Sequence, residues 1–246
     1  METSSFFTLI SKSVLGVFCL LLATSSVNAD SVANTREEMW TEISKMYEQI
    51  KAKEAVFISP SQEDLKAYPE YIGKKDMGII RLLPRETFDG KLSIRGGAAY
   101  YSFGLLSQEY NYGSDIELSR DSFSVGFAGC DFGFFVKLEN QPLEAVSLET
   151  PGVGFLRDFE VPSGDEDKIR QYYYQGFIGI EKDGYTYKHR TNFSVGDTFA
   201  LRSVVLSSYD ILVALKVVRV DSDNSVVLIW KKLKDFPISV CSVPNR

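Results

Sequence analysis

Residues 211–233 read ILVALKVVRVDSDNSVVLIWKKL, and they carry the clearest structural signal of the chain. In the first half, every second side chain is apolar, and this period of two predicts a β-strand. Asp221–Ser225 supplies turn residues, and Val226–Leu233 is a second apolar run. Asp221 and Asp223 also resemble the start of a calcium loop, but the loop glycine and the closing glutamate are missing. The stretch therefore predicts an antiparallel hairpin.

Shorter runs with the same period occur upstream and are separated by turn residues such as Asp89-Gly90. The predicted strands are Met77–Leu82, Lys91–Arg95, Ala98–Phe103, Ile116–Leu118, Phe123–Phe127, Phe132–Leu138, Leu143–Leu148, Phe177–Glu181, Tyr185–His189 and Thr198–Leu206. Regularly spaced short strands are typical of antiparallel sheets. We therefore expect a mainly β (α+β) fold with sandwich or barrel-like sheets.

Two segments have helical rather than strand patterns. Thr35 and Glu38 form a capping box, and an apolar stripe follows at helical spacing: Met39, Ile43, Met46, Tyr47 and Ile50. Such a stripe is most simply packed against its own domain, although a partner surface is the alternative. Residues Gly164–Gln175 predict one short mid-chain helix, with acidic residues at its positive end.

The first 29 residues resemble a secretory signal peptide. Lys12 precedes an apolar run at Val14–Ala23, and Val27-Asn28-Ala29 offers a cleavage site before Asp30. The run is too short to span a bilayer, so no membrane span is expected after cleavage. We expect a secreted or periplasmic protein with a signal peptide at 1–29, an amphipathic helix at 30–56 and a β-rich domain at 57–246. Lobes at about 57–160 and 161–246 are an alternative division of that domain.

Composition excludes several classes of function. The net charge of −6, without a dense basic run, argues against nucleic-acid binding. The chain lacks phosphate-loop, dinucleotide and zinc motifs, and its single histidine excludes a multi-histidine metal centre. We expect no cofactor and no metal. His189 lies between Lys188 and Arg190, which predicts a solvent-facing side chain.

Three acidic residues are the catalytic candidates. Asp115 and Glu117 are two positions apart on a predicted strand, so they project from one face, as the paired carboxylates of a glycoside hydrolase could. Asp131 lies among phenylalanines, where burial would shift its pKa. Half-exposed strands also carry alternating acids without any catalytic role.

An aromatic cluster is the candidate for ligand binding. Tyr100, Tyr110 and Tyr112 occur close to Arg95, and flat rings beside polar groups are typical of sugar-binding faces. Core packing is the alternative explanation for these rings. The expected partner is a saccharide or another protein.

Two cysteines remain after the signal segment, Cys130 and Cys241. In an oxidising compartment they could form a disulfide. Cys130 could equally be a small buried residue.

The block from Arg95 to Phe135 resembles a group of uncharacterised secreted bacterial proteins. The resemblance rests on RGGAAYYSF (95–103), YGSDIEL (112–118) and GFAGCDFGF (126–134). It implies a bacterial exported origin and no particular activity. We therefore expect an exported, non-catalytic binding or envelope-associated protein, with an extracellular carbohydrate-active hydrolase as the alternative.

Overall fold

The computed structural model describes residues 35–111, 113–127, 131–162 and 165–240. The signal segment 1–29, Tyr112 and both candidate disulfide cysteines, Cys130 and Cys241, lie outside these ranges. The chain divides after Lys53 into two compact units.

The first unit contains most of helix α1, which is described over residues 35–58 and ends in the second unit. This stretch has no glycine or proline, so nothing in it interrupts the backbone hydrogen bonds. Its apolar stripe, for which the sequence favours packing, is exposed in the structure. Met39 is 54% exposed and Ile50 46%.

The second unit is built on a five-stranded antiparallel sheet with the strand order β1-β11-β10-β9-β5. Its strands are β1 (Met77–Leu82), β5 (Phe132–Lys137), β9 (Thr198–Val205), β10 (Tyr209–Val220) and β11 (Val226–Phe236). The pairing of β10 with β11 confirms the hairpin predicted from residues 211–233. Strands β1 and β5 come from residues 57–160, and strands β9, β10 and β11 come from residues 161–246. Both ranges, which were considered as separate lobes, therefore contribute to one sheet.

Two smaller sheets complete the β structure. A four-stranded sheet has the order β2-β3-β4-β8, and a hairpin pairs β6 with β7. These strands are β2 (Tyr100–Tyr101), β3 (Ile116–Ser119), β4 (Ser122–Ser124), β6 (Ile180–Lys182), β7 (Tyr185–Tyr187) and β8 (Arg190–Asn192). The fold is therefore mainly β in the α+β class, as the sequence predicts.

The large sheet is buried on both faces. One face of β10, including Val213 and Leu215, packs with Trp230 and with residues of the four-stranded sheet such as Ile116. The other face, including Leu212, packs against helical segments. Two-sided burial explains why β10 is apolar at nearly every position.

The helices of the second unit are short except for the last. They are α2 (Gln62–Ala67), α3 (Arg85–Phe88), α4 (Val153–Asp158) and α5 (Glu166–Ile178), with 3-10 segments at Pro69–Tyr71, Arg95–Ala98 and Leu143–Ala145. The Asp165 side chain caps α5 by accepting a hydrogen bond from the Lys168 amide. In the described ranges, none of the helices has the length and apolar character needed to cross a membrane.

Several strand predictions are wrong. Lys91–Arg95 forms bends that lead into a 3-10 turn, and Leu143–Leu148 begins with another 3-10 turn. Phe177–Glu181 contains the end of α5 and the start of β6.

His189 is also placed differently from the sequence-based expectation, because it is 2% exposed rather than solvent-facing. Its ring stacks on Phe134, and a Cβ at Gly176 of α5 would lie 2.4 Å from it. Burial lowers the pKa of His189, which keeps the imidazole neutral.

Candidate ligand-binding groove

A groove of about 500 Å³ lies between the loop at residues 89–96 and two tyrosine rings. Asp89, Ser93 and Arg95 come from the loop, while Tyr100 belongs to β2 and Tyr110 to the following loop. The volume falls within the range of small-ligand sites, about 300 to 1,000 Å³.

The shape of the groove depends on a left-handed turn in the Arg95–Ala98 segment. Gly96, Gly97 and Ala98 have φ values of 75°, 60° and 60°. A Cβ at Gly96 would lie 2.5 Å from the Tyr100 ring and 2.9 Å from the Tyr110 Cβ. Glycine is therefore required here both for the backbone conformation and for the close approach of the two rings.

The two tyrosine rings form the aromatic surface of the groove. Their centroids are 4.6 Å apart with an interplanar angle of 48°. Tyr100 is 7% exposed and Tyr110 is half-buried, so Tyr110 offers more ring surface to a ligand. Burial raises the pKa of Tyr100 to about 12, which keeps its hydroxyl protonated.

Arg95 supplies a positive charge beside these rings. Its guanidinium carbon lies 5.7 Å from the Tyr110 ring centroid, within the range of a cation–π contact. The Arg95 carbonyl accepts a hydrogen bond from the Tyr110 amide at 3.0 Å. In the part of the chain that the structure describes, neither Arg95 nor Asp89 forms an ion pair. A ligand could therefore engage both charges.

Two contacts that sequence reasoning missed hold the groove in place. The Glu54 carboxylate accepts hydrogen bonds from the Ser93 amide, at 2.7 Å, and from the Ser93 hydroxyl. The Arg85 guanidinium donates to the Tyr100 hydroxyl at 3.3 Å and to Glu117 at 2.9 Å. No local pattern marks these pairs, because the partners in each pair are at least 15 positions apart.

The structure thus brings Arg95, Tyr100 and Tyr110 to one groove. All three were singled out from the sequence because they lie close together in the chain. Asp89 and Ser93 also line the groove. In the sequence, Asp89 stood out only as part of the Asp89-Gly90 turn, and no pattern indicated Ser93.

The three candidate catalytic acids do not line this groove. Asp115 is fully buried just before β3, and its Oδ2 accepts hydrogen bonds from the Phe103 amide at 2.6 Å and the Tyr209 hydroxyl at 3.1 Å. Burial raises the pKa of Asp115 to about 6. Its carboxylate has a structural position, since it fixes the loop after β2 to β10.

Glu117 and Asp131 have different surroundings. Glu117 is 6% exposed and pairs with Arg85, and burial raises its pKa. Asp131 accepts a hydrogen bond from the Leu206 amide at 3.3 Å, and burial raises its pKa to about 7. Both Asp115 and Glu117 are buried, so neither is one of the solvent-facing acids that half-exposed strands commonly carry.

A second cavity of about 510 Å³ lies between α4 and the β6–β7 hairpin. Phe155 and Tyr185 line it, together with Arg157 and Lys182. Arg157 is already paired with Asp158 at 2.7 Å, and the Lys182 ammonium lies 5.6 Å from the Phe155 ring centroid. None of the residues singled out from the sequence lies there.

In the acidic turn that resembles a calcium loop, the carboxylates form ion pairs with arginine. Arg81 pairs with Asp221 at 3.3 Å and with Asp223 at 3.0 Å. Within the described ranges, no group of three or more His, Cys, Asp or Glu side chains is arranged to hold a metal ion.

No protein family model, curated protein or solved structure matches this chain.

Proposed function

We propose that this protein is an exported, non-catalytic binding protein that takes a saccharide in the groove between residues 89–96, Tyr100 and Tyr110. The observation that carries this proposal is the half-buried Tyr110 ring beside Arg95 and Asp89, neither of which has an ion pair within the described ranges. The exported location is supported by the signal-peptide pattern of residues 1–29.

The groove offers the two kinds of contact that a sugar ring needs. The C–H face of a pyranose can stack on the Tyr110 ring, whereas the hydroxyl groups are donors and acceptors for charged side chains. Arg95 can donate to ring or hydroxyl oxygens, and Asp89 can accept from hydroxyls. The hydrogen bonds from Ser93 to Glu54 restrain the surrounding loop, which lowers the entropy cost of binding.

The positions of the acids support binding rather than glycoside cleavage. Asp115 is engaged by backbone amides and Tyr209, and Glu117 is engaged by Arg85. Neither residue lines the groove in which the saccharide is proposed to bind.

The test is a titration of the purified protein with neutral and acidic oligosaccharides, followed by calorimetry. For a saccharide that binds, Tyr110→Ala should weaken affinity about tenfold, the effect of losing a ring contact of about 1.4 kcal/mol. Tyr174→Ala is the matched control, because Tyr174 is 62% exposed on α5 and does not line the groove.

Two results would contradict the proposal. One is equal saccharide affinity of the wild type and Tyr110→Ala. The other is release of reducing sugar that is lost in Glu117→Gln, which would favour the hydrolase.

A further inference from the structure

Helix α1 carries an apolar stripe that is exposed in the described structure. Its five members and the adjacent Trp40 are between 44% and 68% exposed: Met39, Trp40, Ile43, Met46, Tyr47 and Ile50. Exposed apolar surface of this extent on one helix face marks a site of association.

The spacing of the stripe indicates what associates with it. Met39, Ile43, Met46 and Ile50 are separated by four, three and four residues. Steps of four and three in alternation are those of a heptad repeat, whose mean period of about 3.5 keeps side chains on the seam between two supercoiled helices. β-branched residues at alternate seam positions, here Ile43 and Ile50, favour two-stranded pairing.

The charges of the helix favour a like partner over a lipid surface. Residues 35–53 contain four basic and four acidic side chains, namely Arg36, Lys45, Lys51, Lys53, Glu37, Glu38, Glu42 and Glu48. A second copy therefore meets no net repulsion. Helices that lie on anionic membranes are instead rich in Lys and Arg on the polar face.

The area is sufficient for a specific dimer. Six large side chains that are about half exposed offer roughly 100 Å² each, hence about 600 Å² per chain. Two copies would bury about 1,200 Å², the lower end of the range for stable interfaces.

We propose that a second copy of this chain pairs with α1 as a two-stranded coiled coil, with Met39, Ile43, Met46 and Ile50 at the seam. Lys53 follows at the next seam position and limits the length of the apolar seam. Since the seam is short, we expect a dimer that dissociates on dilution.

The test is sedimentation of the purified protein over a range of concentrations. The wild type should sediment as a dimer at tens of micromolar. Ile43→Asp with Ile50→Asp should be monomeric. Thr41→Asp with Ala52→Asp makes the same charge change on the opposite side of α1, and it should remain dimeric.

A second variant separates loss of pairing from loss of the helix. Ile43→Ala with Ile50→Ala shortens the seam while keeping high helix propensity, so its dimer dissociation constant should rise at least tenfold. A wild type that is monomeric at every concentration would overturn the proposal, as would alanine and aspartate variants that dimerise like the wild type. A monomer that binds lipid vesicles through these isoleucines would also overturn it, in favour of a membrane surface.

Discussion

At the scale of single residues, Asp115 is a buried acid whose charge depends on pH. Burial is the main cause that raises its pKa from 3.8 to about 6. The folded protein therefore keeps a proton on Asp115 at pH values where the unfolded chain has lost it. This group's contribution to stability is fully present below about pH 4 and is lost as the pH rises to about 6.

We expect Asp115→Asn to remove this dependence. Asparagine keeps an oxygen that can accept from the Phe103 amide, but it carries no charge. Between pH 4 and 6, the free energy of unfolding of Asp115→Asn should therefore increase relative to that of the wild type, by up to about 1.4 kcal/mol per pH unit, so that the variant becomes the more stable protein. Urea denaturation at several pH values measures the difference.

Asp121→Asn is the control for this experiment, because Asp121 is exposed on the turn between β3 and β4. Its stability curve should run parallel to that of the wild type. If Asp115→Asn also runs parallel, burial of the Asp115 carboxyl does not shift its titration.

His189 shows what the sequence could reveal about a single residue. Its charged neighbours Lys188 and Arg190 are exposed, whereas Tyr187 and His189 are both buried. Alternation along the chain puts Tyr187 and His189 on one face. The period-two alternation with Tyr187 therefore predicts a buried His189, whereas the charges of Lys188 and Arg190 alone predict an exposed one.

At the scale of elements, α5 and the segment after β7 meet at a position where only glycine fits. A Cβ at Gly176 would lie 2.4 Å from the His189 ring. Gly176→Ala should therefore lower the free energy of unfolding by about 1 to 3 kcal/mol through overpacking. Denaturation in urea measures the loss.

The matched control is Gly154→Ala in α4, where an added Cβ has no atom within 4 Å. Alanine should be neutral there or should stabilise the protein by up to about 1 kcal/mol, since it favours the helix. Equal destabilisation by both substitutions would show that α5 does not pack at Gly176 as described.

A buried ion pair joins strands β9 and β10 to α4. Arg202 donates to both carboxylate oxygens of Asp210, at 2.9 and 2.8 Å, and also to the Leu156 carbonyl at 2.7 Å. Asp210→Ala leaves the buried guanidinium unpaired, so we expect a loss of about 3 to 5 kcal/mol in thermal or urea unfolding.

The exposed pair between Arg157 and Asp158 provides the comparison. Their side chains are 34% and 64% exposed, so solvent screens the pair and Asp158→Ala should cost much less stability than Asp210→Ala. Similar losses for the two alanine variants would contradict the burial of the Arg202 pair.

Strands with a regular apolar pattern were easier to predict than turns. β1 has the predicted bounds, and β10 with β11 forms the predicted hairpin. The segment Leu143–Leu148 was wrongly predicted as a strand. Its buried residues Leu143 and Val146 are three positions apart, a spacing that places side chains on one side of a 3-10 turn. Lys91–Arg95 leads into the left-handed turn in which Gly96 and Gly97 have positive φ values.

At the scale of the whole molecule, the large sheet joins distant parts of the chain, because β1 pairs with β11 at one edge of the sheet. We expect a chain that begins at residue 54 to keep the fold of the second unit, with an unfolding free energy within about 1 kcal/mol of the full chain. It retains Glu54 and its contact with Ser93. Circular dichroism and urea denaturation measure this outcome.

A chain that begins at residue 84 lacks β1 and should fail to fold, because Leu82 is fully buried and Trp230 would lose its cover from Gly78. Cooperative unfolding of this shorter chain would show that the fold of the second unit does not depend on β1.

The fold class followed from the period of the apolar residues, whereas the strand order did not. The pairings of β1 with β11 and of β5 with β9 join distant segments, and no local pattern specifies them. The groove was predictable only where its residues are close in sequence, as Arg95, Tyr100 and Tyr110 are. The contact of the Glu54 carboxylate with Ser93 joins residues 39 positions apart, and no local pattern predicts it.

The two tryptophans of the chain occupy opposite environments, one in each compact unit. Trp40 is 68% exposed on α1, whereas Trp230 is 1% exposed in the core. Each unit thus contains its own intrinsic fluorophore. At concentrations where the protein is monomeric, an ionic quencher in water should reduce the emission of Trp40 and spare that of Trp230. Emission from the Trp40→Phe variant would come from Trp230 in the β-rich unit.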